Sequence, residues 1–108
     1  MIYPYSGNHI YSRLSVSQNS PSDNIGVYYC GYTDKNILHV FYIGRAMGDS
    51  VSIQSRLLDH LRDDNWPDVT HFGYRTCTRK RETEEIEAAE IKRLQPKYNT
   101  VGKVFTRY

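Results

Sequence analysis

The sequence predicts an α+β chain from three observations: an aromatic hairpin, a further alternating run, and two helical stripes in one short chain. The hairpin comes from Gly26 to Thr33 and Ile37 to Gly44, both rich in aromatic and β-branched residues. Between them lie Asp34, Lys35 and Asn36, whose side chains suit a tight turn. With Lys35 at the loop centre, Cys30 faces Val40 and Tyr28 faces Tyr42. Opposed side chains in an antiparallel pair have Cβ atoms about 5 Å apart, so two phenols project side by side. A slip of one residue puts them on opposite faces.

After the hairpin, Arg45-Ala46-Met47-Gly48 reads as a loop, and Asp49 or Ser50 as a helix cap. Ile53, Leu57 and Leu61 recur every four residues as an apolar stripe. Arg56 and His60 stack along one border of it, aimed at the edge of whatever the helix covers. The turn from Asp63 to Asp68 carries carboxylates that read as solvated rather than as metal ligands, and Trp66 reads as a plug at a core edge. Val69 to Cys77 alternates as a third strand, and Thr78 to Gln95 is a second helix stopped by Pro96. At about 100° per residue, Ile86, Ile91 and Leu94 span an apolar arc with Glu87 and Glu90 both inside it. A carboxylate there is costly unless it is paired or holds a metal. Periodicity does not choose between the two.

Residues 1–24 are rich in Ser and Asn and read as an irregular arm, pinned by Tyr3, Tyr5, Ile10, Tyr11 and Leu14. Residues 25–108 then read as the folded domain. With 24% charged residues and a net charge of +2, the chain permits a nucleic-acid partner without demanding one. Arg79-Lys80-Arg81 and Lys92-Arg93 supply basic surface on the second helix. Cys30 and Cys77 form no C-x-x-C and read as buried thiols in a reducing compartment. No segment is apolar enough for a signal peptide or a bilayer span, so a cytoplasmic protein without a membrane partner is expected.

Gly26-Val27-Tyr28 and Tyr42-Ile43-Gly44 resemble the two signature tripeptides of the GIY-YIG nucleases, with Val for the first Ile. Eight residues separate Glu87 from Pro96, and two separate Pro96 from Asn99. This spacing resembles the metal-binding helix of the incision domain in the bacterial excision-repair nuclease. Glu90 does not keep it. Arg56 with His60 is similar to the Arg and following His of GIY-YIG restriction enzymes, and the longer segment between Tyr42 and Arg56 leans the same way. The resemblance covers about residues 25 to 100.

The resemblance implies a three-stranded antiparallel or mixed sheet flanked by helices, and a metal-dependent DNA endonuclease hydrolysing phosphodiester bonds. It implies Mg²⁺ (or Mn²⁺) on Glu87, since a hard cation takes oxygen ligands and keeps several waters. Arg56 forks onto phosphate oxygens, and Arg45 braces the same phosphate. Tyr28 is the expected general base, its phenol helped by the cationic neighbours His60 or Arg56. Tyr42 orients water or phosphate, and Asn99 fixes Glu87 or the loop. Two rival functions stand beside this one: a nuclease for single strands, branched substrates or RNA, and an inactive nucleic-acid-binding module. One site cuts one strand, so either a monomer or a homodimer is compatible.

Overall fold

Lys35 and Asn36 both adopt left-handed backbone angles, with φ of 53° and 65°. That pair makes a two-residue hairpin turn whose twist matches the strands it joins. It connects β2 (Ile25–Asp34) to β3 (Ile37–Ala46). The computed structural model describes residues 4–21, 24–47, 51–63 and 66–99. Around the hairpin stand β1 (Ser6–Ile10), α1 (Arg13–Asn19), α2 (Ile53–Arg62), β4 (His71–Cys77) and α3 (Lys80–Leu94).

The predicted register is wrong in two places, and the errors cancel. The turn has two residues rather than a centre on Lys35, so Asp34 pairs with Ile37 and Gly31 with Val40. Left alone, that change would turn Tyr28 and Tyr42 to opposite faces. A bulge at Phe41 then inserts one extra residue in β3, so that Cys30 pairs with Tyr42 and Tyr28 with Gly44. Parity is restored. The two tyrosines share a face as diagonal neighbours, with ring centroids 6.1 Å apart, rather than as an opposed pair.

The sheet has four antiparallel strands in the order β1-β4-β2-β3, not three. The added strand lies in the segment predicted to be irregular. Ser6-Gly7-Asn8-His9-Ile10 has weak strand propensity, and β1 is held by its ladder to Phe72, His71 and Tyr74 of β4. α1 follows, its Ser12 side chain accepting from the backbone N–H of Ser15. At seven residues it cannot stand alone in water, and Val16, fully buried, ties it to the core. The predicted pins divide. Tyr5 packs edge-on against Tyr29 at 5.6 Å and Tyr11 approaches Trp66, whereas Ile10 and Leu14 are 62% and 68% exposed. Tyr3 lies outside the described residues.

Each face of the sheet has its own cover. On one, Tyr28, Cys30 and Phe72 pack with Val16 of α1 and with Ile53 and Leu57 of α2. On the other, Val27, Tyr29 and Ile43 meet Ile86, Ile91 and Leu94 of α3. α2 begins at Ser52, whose side chain and that of Ser55 cap each other's backbone N–H groups. The predicted caps Asp49 and Ser50 lie outside the described residues. α3 ends at Gln95, in a left-handed conformation, just before Pro96. Cys30 and Cys77 are buried free thiols. No helix among the described residues is long and apolar enough to cross a membrane.

Strand β3 is an edge, and Ile43 turns both backbone groups away from β2. Asn99 takes both: its side-chain oxygen accepts from the Ile43 N–H at 2.7 Å, and its amide donates to the Ile43 carbonyl at 2.9 Å. Asn99 thus fixes the strand between Tyr42 and Gly44, rather than Glu87 or a loop. Replacing it by Leu should remove both bonds and cost about 1–3 kcal/mol of stability in urea denaturation.

Candidate functional site

Tyr28 has no exposed surface. A buried phenol oxygen needs a partner, and the Tyr28 hydroxyl lies 2.9 Å from His60 Nε2. α2 brings Arg56 from its first half and His60 from its last turn over the sheet face that carries Tyr28 and Tyr42. Burial raises the Tyr28 phenol well above the ordinary value, the neighbouring Tyr42 adds to this, and the Arg56 guanidinium opposes it without prevailing. Tyr42 is raised as well, by burial first and then by the charge of Glu87. Burial, followed by the charge of Arg56, pushes His60 down to about 4. The expectation that cationic neighbours make Tyr28 acidic is therefore overturned. His60 is neutral at pH 7, and one guanidinium does not outweigh desolvation.

Gly44 is what allows this arrangement. It pairs with Tyr28 across the hairpin, and a Cβ built there would stand 2.4 Å from both Cζ and the hydroxyl oxygen of Tyr28. The phenol ring lies across the bare backbone to reach His60. Trp66 closes the other side, with its ring 4.2 Å from His60 and 4.6 Å from Tyr42. Sequence reasoning placed Trp66 at a core edge, which its 8% exposure bears out. Its wall role was missed. The available signal was a single Trp a few residues after the helical His.

The structure separates the two glutamates that periodicity could not. Glu90 is committed: it accepts from the Tyr29 hydroxyl at 2.9 Å and from two nitrogens of Arg93 at 2.7 and 3.0 Å. Those bonds hold its carboxyl below the usual range, Arg93 contributing most. Glu87, with a side chain 14% exposed, meets the Arg45 guanidinium through one carboxylate oxygen. Strand alternation turns Arg45 to the α3 side with Ile43 and turns Tyr42 to the α2 side. Glu87 pairs with Arg45 on that α3 side, and its negative charge adds to the rise of the Tyr42 phenol.

Of the predicted residues, Tyr28, Tyr42, Arg56 and His60 come together on one face. Glu87 and Arg45 form a pair on the α3 side of β3, and Asn99 clips the strand at Ile43. Among the described residues no three His, Cys, Asp or Glu side chains converge as a metal cluster, so the donors do not fit a closed zinc-type site. A single partly exposed carboxylate does fit a hard cation that retains most of its waters. Comparison of the chain with protein-family models, with characterised proteins and with solved structures gives no match.

Two measurements follow from this geometry. Gly44→Ala should cost about 1–3 kcal/mol from overpacking and lever the phenol off His60. In the variant, the His60 pKa read by NMR should return toward 6.5. The second concerns acid. Folded His60 titrates near 4 against 6.5 for the free side chain, so between these values the unfolded chain binds the extra proton. Stability should then fall as pH drops from about 6.5 toward 4, by on the order of 1–2 kcal/mol after allowance for partial solvent access. His60→Asn should flatten that part of the stability profile.

Proposed function

We propose that the chain is a metal-dependent DNA endonuclease of the GIY-YIG type, hydrolysing phosphodiester bonds. The observation that carries this reading is the buried Tyr28–His60 hydrogen bond beside Tyr42 and Arg56, with Glu87 close enough for its charge to act on Tyr42. Such a set supplies what the reaction requires: a proton acceptor, a phosphate clamp and an anionic anchor for a hard cation.

With His60 neutral and protonated at Nδ1, Nε2 is the acceptor in its bond to Tyr28. Tyr28 then acts as a relay. It accepts a proton from the attacking water as it gives its own to His60, and no free phenolate has to form in a buried site. Tyr42, half-buried at the mouth, donates a hydrogen bond that orients water or phosphate. Arg56 holds non-bridging oxygens and neutralises charge that grows in the transition state. Glu87 is the residue that would hold Mg²⁺ or Mn²⁺, with Arg45 on the same carboxylate. When bound, the ion supplies charge neutralisation at the phosphate and help for the leaving oxygen. Asn99 keeps Tyr42 and Gly44 in place through the Ile43 backbone.

Nicking of supercoiled plasmid with Mg²⁺ tests the reading. Glu87→Gln should abolish cleavage and retain DNA binding, while Glu90→Gln should lose stability and keep cleavage. Arg56→Ala should slow turnover by about 10²- to 10³-fold, as for one transition-state donor. Tyr28→Phe should cost about 10²- to 10⁴-fold, with partial recovery as pH rises. Tyr42→Phe, losing one positioning bond, should cost under about tenfold. A wild-type chain that binds DNA and never cuts it would leave the inactive binding module. Full activity of Glu87→Gln would overturn the assignment of the metal ligand.

A further inference from the structure

The rings of the site do not stop at Trp66. Tyr98 stacks toward Trp66 at 6.3 Å and 24°, and Phe41 meets Tyr98 edge-on at 6.0 Å. Tyr32 follows at 5.3 Å from Phe41 and lies nearly parallel to His39, at 4.8 Å and 15°. Tyr32 and His39 oppose each other across the hairpin and are both exposed, Tyr32 by 39%. The two form a shelf, and neither ring belongs to either core cluster. The Lys97 ammonium stands 4.2 Å from the Phe41 ring centroid and 5.0 Å from that of Tyr98, and is paired with Asp68.

We propose that this shelf is a stacking platform for the bases of single-stranded nucleic acid leading into or out of the cleavage site. Three features select that occupant. The Tyr32–His39 pair is an exposed parallel stack, which a base can extend and the edges of an intact duplex cannot reach. The ring series is continuous with Tyr42 and His60, so a strand on the shelf runs to the residues assigned to phosphate chemistry. An apolar protein face is a poor fit, since it would cover an imidazole, two phenol hydroxyls and the Lys97–Asp68 pair. Because the shelf's ammonium is already paired, stacking rather than phosphate contact carries its affinity. The inference rests on the nuclease reading for its choice of nucleic acid, and it narrows the substrate to one with an unpaired segment.

Binding measured in EDTA separates the two readings. Fluorescence anisotropy would compare a labelled oligothymidine of about a dozen nucleotides, an abasic strand of the same length and a duplex of the same length. The wild-type protein should bind oligothymidine at least about tenfold more tightly than the abasic strand, which keeps the phosphates and lacks the rings. Tyr32→Ala and His39→Ala should each weaken oligothymidine by about 5- to 100-fold and leave the abasic strand unchanged. Tyr32→Phe should bind as the wild type does. Thermal melts check that the exposed substitutions leave the fold intact. Equal affinity for all three ligands, or unchanged binding by Tyr32→Ala, overturns the platform even if Mg²⁺-dependent nicking is observed. Ring-dependent binding with no nicking by any metal leaves the platform standing and removes the nuclease. A concentration-dependent dimer that Tyr32→Ala abolishes, with no effect on oligothymidine, assigns the shelf to a second copy and also overturns it.

Discussion

A phenol buried on folding must find its hydrogen-bond partner inside the protein, and Tyr28 imposes that requirement on its surroundings. Its ring needs a missing side chain on the neighbouring strand, which Gly44 provides. Its oxygen needs a partner from outside the sheet, which brings α2 to a fixed rotation with His60 inward. Leu57 and Ile53, one turn and two turns along, then fall on the core. A single buried polar atom therefore sets the hairpin's pairing, the helix above it and the protonation state of the imidazole between them. Such a group is costly when left unmade, so the set holds together as a unit.

The two faces of the sheet hold their polar groups in different ways. On the α3 side, Tyr29, Arg75, Glu90 and Arg93 complete one another: Arg75 donates to the Tyr29 hydroxyl, which donates to Glu90, which Arg93 grips with two bonds. That network leaves Glu90 with its negative charge matched. Glu87, one turn earlier on the same helix, meets a single cation among the described residues, the Arg45 guanidinium, through one oxygen. The contrast is physical rather than positional, because a singly held carboxylate near the surface can exchange partners at far smaller cost than a saturated one.

Much of the hairpin and of α2 was legible because their signals are local. Arg56 and His60 sit on a period-four pattern that survives folding, and Tyr28 and Tyr42 share a face because the shorter turn and the bulge offset each other. What escaped was set at a distance. Nothing between Ser6 and Ile10 announces a strand, since its partner β4 lies some sixty residues away in sequence. The bulge at Phe41 has no composition of its own. It exists because an even step brings Tyr42 back beneath α2, where Trp66 and His60 bury it. The partners of Glu90 were legible only in part: Arg93 lies three residues along α3, whereas Tyr29 reaches it from the sheet, sixty-one residues away in sequence. The pKa expectation for Tyr28 failed for a comparable reason: the sequence displays the charges and hides the burial.

An outermost strand ordinarily offers its free donors and acceptors to any extended chain that passes. β3 is such a strand, and it carries aromatic and branched residues that would make it an inviting template. The amide of Asn99 already occupies the middle of that row, imitating one residue of an added strand at Ile43. A foreign segment would have to displace it before extending the ladder there. The segment at residues 97–99 thus stands where an added strand would have to pair, and loosening it would free the Ile43 backbone groups as well as release the strand that carries Tyr42.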